Sequence, residues 1–167
     1  MSNPIQHNVS LIPQPTQTTC WAAATAMLLN KTVNEIVLAT PQNLLLADGS
    51  LMNYSNQADW VTGTEAYANA HGLGFAGPQT WSIAGLYSRL TNGPVVFDLL
   101  WQAGQYVSGV GSPGHMVCIS GMSGNDNLAT VTFNDPWPPS TGAVTTISYA
   151  TWFQQVPTAS YRVFWER

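Results

Sequence analysis

A chain of 167 residues is long enough to bury a sizeable core within one domain. Charged residues make up only 7%, and four basic side chains face eight acids for a net charge of −4, which argues against a basic patch for nucleic acid or an anionic membrane. No apolar run is long enough to span a bilayer, and two cysteines are too few for a disulfide scaffold.

The N-terminal residues through Pro13 read as an extended arm carrying Val9, Leu11 and Ile12. They show neither the basic nor the apolar region of a secretory signal. A Pro-punctuated approach, Gln14 to Thr19, then enters an Ala-rich helix at Cys20, with Thr18 and Thr19 as acceptable caps and Trp21, Ala24, Met27 and Leu28 on one face. Val33 to Ala39 predicts a second helix, capped by Thr32 with Glu35 completing a capping box. Residues 41–57 lack periodicity and read as a surface loop around Leu44-Leu45-Leu46. Asn56 to His71 is the next helix, stopped by Gly72, and Ser82 to Leu90 another.

From Pro94 the pattern changes. Pro94 to Leu100 reads as a buried strand, Trp101 to Gly114 as a glycine-rich loop suited to a mobile lid, and His115 to Gly121 as a strand. Ala129 to Asn134 is its antiparallel partner after an Asn125-Asp126-Asn127 turn; Ala143 to Ser148, a short helix to Gln155 and a closing strand Tyr161 to Trp165 follow. Helices first and strands later predict an α+β fold, one domain over 1–167, with a helical lobe at about 14–93 and a sheet lobe at about 94–167.

A cysteine in a helix's first turn feels the positive end of the dipole and unpaired amides, both of which favour the anionic sulfur. Thiol catalysis also needs a base, a group that orients the base, and donors for an oxyanion. His115 opens a strand after a glycine-rich loop, where an imidazole can face a cleft. His7 in the arm and His71 at a helix end read as solvated surface residues. A hairpin from 115–121 to about 129–135 returns Asp135 towards His115, with Trp137 positioned to shield the pair from water. Asn134 is the rival orienter, and alternation along the strand allows only one of the two to face His115. Gln14, six residues before Cys20, is the expected oxyanion donor beside the Cys20 amide, with Gln17 the competitor. Cys118 falls on the opposite strand face as core. A zinc site from Cys20, His115 and Cys118 is disfavoured, as no Cys-x-x-Cys or second clustered histidine supports it.

The blocks IPQPTQTTCWAAATAML, GHMVCISG and FNDPWP, in that order, resemble papain-like cysteine proteases. The likeness is to the bacterial branch: peptidase domains that trim double-glycine leaders, and related effector proteases. The resemblance implies Cys20 as nucleophile, His115 as general base and then acid, Asp135 as orienter and Gln14 as oxyanion donor. It places the cleft between the two lobes, lined by Trp21 and Trp137. The chain departs from papain in using Asp as the orienter and in a Cys-to-His separation well below the roughly 130–150 residues of the plant-type enzymes.

The expected function is that of a cysteine endopeptidase, a thiol protease that works through a thioester acyl-enzyme, with a preference for Gly-Gly before the cut and no metal or cofactor. The family likeness further implies a bacterial effector or toxin, made in the cytoplasm without a signal peptide and delivered by a specialised secretion system. Its partners would be a protein substrate in a target cell and a cognate inhibitor, or immunity protein, covering the cleft. The alternative keeps the triad and changes the acceptor, giving a protein glutamine deamidase or transglutaminase.

Overall fold

The computed structural model describes residues 3–54, 56–100, 114–155 and 162–167. Five α-helices and seven strands alternate in the order β1 (Ile5–Gln6), α1 (Cys20–Leu29), α2 (Val33–Ala39), α3 (Gln57–His71), β2 (Leu73–Ala76), α4 (Ile83–Leu90), β3 (Val95–Leu100), β4 (Gly114–Ser123), β5 (Thr130–Asp135), β6 (Ala143–Ser148), α5 (Tyr149–Gln155) and β7 (Arg162–Glu166) among the described residues. The fold is α+β. Every strand pairing is antiparallel, in the order β2-β7-β3-β4-β5-β6, with β1 added against β4. The glycine-rich stretch read as a lid lies outside the described residues except for Gly114.

Alternation along the strands divides the core in two. Val96, Met116, Cys118 and Phe164 point to the face covered by α1, α2 and α3, where they meet Trp21, Met27, Ile36 and Tyr67. Val95, Phe97, Val117, Ile119 and Val163 point the other way, against Leu86 and Leu90 of α4 and Trp152 of α5. Each fully buried side chain of this size contributes about 1.5–3 kcal/mol of transfer free energy, so both layers are needed to hold the sheet.

Local signals explain several elements. Glu35 Oε2 accepts from the Thr32 amide at 2.8 Å while Thr32 Oγ1 accepts from the Glu35 amide at 3.2 Å, closing a capping box on α2. Asn56 caps α3 by accepting from the Asp59 amide at 2.9 Å, and Gly72 ends it with φ of 69°, a conformation that glycine adopts without a Cβ penalty.

Three expectations are corrected by tertiary packing. Helix α1 is buried all round from Trp21 to Leu28 rather than along one face, because α2 and the sheet enclose it. His71 is buried rather than solvated: its Nε2–H donates to Thr40 Oγ1 at 2.8 Å, that hydroxyl donates to Ile36 O at 2.8 Å, and its ring lies 4.7 Å from Tyr67. Within residues 41–57, Leu44 and Leu51 are core residues, and Leu45 bridges Leu51. The helical stretch also contributes a strand, β2, whose partner is β7 at the far end of the chain.

Candidate active site

Cys20 is the first residue of α1, at the only half-exposed turn of a helix that is otherwise buried until Leu29. Neither expected threonine caps that end with its side chain. Thr19 Oγ1 is engaged with Thr16, accepting from its amide at 3.2 Å and lying 2.9 Å from its hydroxyl, while Thr18 Oγ1 donates to Asp48 O at 2.8 Å. No side chain therefore caps the start of α1, and the amide of Cys20, the half-exposed residue of that turn, is left for an acceptor in the site.

His115 stands one residue into β4, in register with Leu99 of β3. Its Nε2–H donates to Asp135 Oδ1 at 2.7 Å, and the backbone amide of Trp137 donates to the same oxygen at 2.9 Å. Cys20 is the second group, after Asp135, that favours the protonated ring. Burial of the ring works against its protonation, but the hydrogen bonds to Asp135 and Cys20 and their charges outweigh it, and the His115 pKa is pushed up to about 9. At neutral pH His115 is an imidazolium held between a carboxylate and a sulfur.

Asn134 faces the other way. It accepts from Ser120 Oγ at 3.0 Å and donates to Val9 O at 3.1 Å, fastening the N-terminal arm to the sheet. Ser120 lies where the β4–β5 register shifts between Ile119 and Gly121. Cys118 is wholly buried in the α1 layer, and burial pushes its thiol up to about 12. Among the described residues no group of three or more His, Cys, Asp or Glu side chains is disposed to hold a metal ion.

Gln14 is 1% exposed. Its Nε2 donates to Thr16 O at 2.7 Å, which leaves one N–H of that amide uncommitted, and its Oε1 is buried with no partner among the described residues. The backbone at Gln14 is fixed on both sides: its amide donates to Pro136 O at 3.0 Å and its carbonyl accepts from the Ser140 amide at 3.0 Å.

A cleft of about 430 Å³ opens beside Cys20. Trp21, which donates through Nε1 to Gly49 O at 3.0 Å, forms part of its wall, as does Gln17. Gln14, His115, Asp135 and Trp137 are not among its lining residues, and Trp137 is 44% exposed. The opposite wall is the segment read from sequence as a plain surface loop, which brings Leu46, Asp48, Ser50 and Asn53 to the cleft. Its floor holds a buried ion pair that sequence reasoning missed: Arg162 Nε donates to Asp98 Oδ2 at 2.7 Å, and Arg162 Nη2 reaches Met52 O and Asn53 Oδ1, each at 3.3 Å. Burial pushes the Asp98 carboxyl up and the Arg162 guanidinium opposes that rise. A register argument pairing β3 with β7, which sets Asp98 opposite Arg162, was the signal available to find it.

The family model described as Peptidase_C39 like family matches residues 6–164. Among solved structures, a crystal structure from Bacillus anthracis described as a C39-like peptidase shares the fold with a TM-score of 0.58 and 14% sequence identity, over 99% of each chain. No match is found among curated proteins. With the family match running over nearly its whole length, the chain belongs to the Peptidase_C39-like family and is a cysteine peptidase, a hydrolase of peptide bonds.

Proposed function

We propose that the protein is an endopeptidase in which Cys20, His115 and Asp135 act as a catalytic triad. The observation that carries this reading is His115, hydrogen-bonded to Asp135 at 2.7 Å and near enough to the Cys20 sulfur at the tip of α1 for that group to help raise its pKa. With Nε2 committed to Asp135, the proton exchanged with the sulfur rides on Nδ1. The Cys20 sulfur attacks the substrate carbonyl carbon, a C–S bond forms, and the carbonyl oxygen becomes an oxyanion. The open amide of Cys20 and the second N–H of Gln14 are the donors for that charge. The intermediate collapses by expelling the amine, which takes the proton from His115. Water then gives a proton to His115 as it attacks the thioester, and the C–S bond breaks to release the acid and return the free sulfur beside protonated His115.

The likeness to leader peptidases and effector proteases supports two further readings: a preference for Gly-Gly before the cut, and delivery as a toxin to a protein target in another cell. An inhibitor covering the cleft would protect the producing cell. Terminal-peptide mass spectrometry on cells expressing the wild type against Cys20→Ala tests the proposal. New termini that depend on Cys20 are expected. Cys20-dependent gains of about one mass unit on glutamines, or cross-links, without new termini would replace the protease with a deamidase or transglutaminase.

A further inference from the structure

From the charges that line the Cys20 cleft, we infer that the substrate presents a lysine or arginine side chain beside the scissile bond, received by the carboxylate of Asp48. The inference rests on the endopeptidase reading and adds to it a substrate class and a specificity-determining residue.

Three ionisable side chains besides Cys20 line the cleft: Asp48, Asp98 and Arg162. The last two neutralise each other on the floor, at 2.7 Å and almost fully buried. Asp48 at the mouth has no such partner. Its Oδ1 accepts from the Ser50 hydroxyl at 2.6 Å and the Ser50 amide at 2.9 Å, bonds that hold its carboxyl below the usual carboxylate range. Those bonds also fix the carboxylate without consuming Oδ2. Among the described residues no Lys, Arg or His forms an ion pair with it.

The chain's other cations are engaged elsewhere. Arg89 lies 4.0 Å over the Trp165 ring, Arg167 donates to Asn69 Oδ1 at 3.5 Å, and Lys31 precedes the capping box of α2, where its charge is felt by Glu35. Among the described residues the lining thus carries one uncompensated negative charge. A substrate acid entering here meets repulsion from Asp48, whereas a basic side chain lays its methylenes along Trp21 and Leu46 and its head against Asp48.

The test is positional profiling of cleavage with a chymotryptic digest of a bacterial proteome, which leaves Lys and Arg internal, treated with wild type, Asp48→Asn, Asp48→Lys and Cys20→Ala. At one position near the cut, the wild type should favour Lys and Arg over Glu and Asp. Asp48→Asn should reduce that ratio by roughly two- to fivefold, the range for an exposed ion pair, and Asp48→Lys should invert it. An identical charge profile for wild type and both Asp48 variants overturns the inference and leaves the endopeptidase reading standing. Cleavage by wild type no greater than by Cys20→Ala overturns that reading, and the inference falls with it.

Discussion

Asp135→Asn isolates what the charge of the orienting residue does. Asparagine keeps an oxygen where Asp135 Oδ1 accepts from both His115 and the Trp137 amide, so the geometry at 2.7 and 2.9 Å has an acceptor to preserve it. What disappears is the negative charge facing a ring whose side chain is only 8% exposed. A hydrogen bond to a charged group contributes about 1.5–3 kcal/mol against a neutral baseline near 0.5–1.5. At 1.36 kcal/mol per pH unit, the difference of about 1–1.5 kcal/mol moves the His115 titration down from about 9 by about one pH unit. Imidazole NMR on the uncomplexed protein reads this directly, because His71, pushed down to about 4 by burial, titrates far from it. The alkaline limb of kcat/KM should descend in step, since the reactive pair is lost as His115 gives up its proton. An unchanged His115 titration in Asp135→Asn, or a wild-type value near 6.5, would refute the electrostatic argument.

Three further outcomes follow from other parts of the fold. Arg162→Met leaves Asp98 buried without its cation and should cost about 3–5 kcal/mol in urea denaturation, whereas the double change Asp98→Leu with Arg162→Met should recover most of that loss. Gly121→Ala places a Cβ 2.8 Å from Ile5 O and should prise β1 from β4, seen as faster proteolysis within the arm and a loss of about 1–3 kcal/mol. His71 binds its proton more weakly folded than unfolded, so stability should begin to fall as pH drops below 6.5 and go on falling until about 4. Thermal midpoints of His71→Gln should show a shallower acid decline.

What could be read in the chain beforehand divides by the range of the interactions. The Thr32–Glu35 capping box, the stop at Gly72 and the hairpin that brings Asp135 to His115 are written within a few residues or along one strand pair, where spacing alone carries the signal. Strand β2 was not legible. Leu73-Gly74-Phe75-Ala76 is too short to show alternation and is a strand because β7 lies beside it. His71 was misplaced for the same reason, since only Tyr67 and Thr40, brought by tertiary packing, make its burial tolerable. The cleft wall at Leu46, Asp48 and Ser50 lay in a stretch without periodicity, so nothing local marked it as part of the site. The side-chain cap expected from Thr18 or Thr19 failed because both hydroxyls found partners outside the helix.

Helix α1 touches solvent at its two tips and nowhere between them. A reagent therefore approaches Cys20 end-on, and the sulfur has no local hinge through which to escape its setting. Unfolding frees the buried Cys118 to react as well, so loss of the folded protein's selectivity for alkylation at position 20 over position 118 is a built-in gauge of global folding.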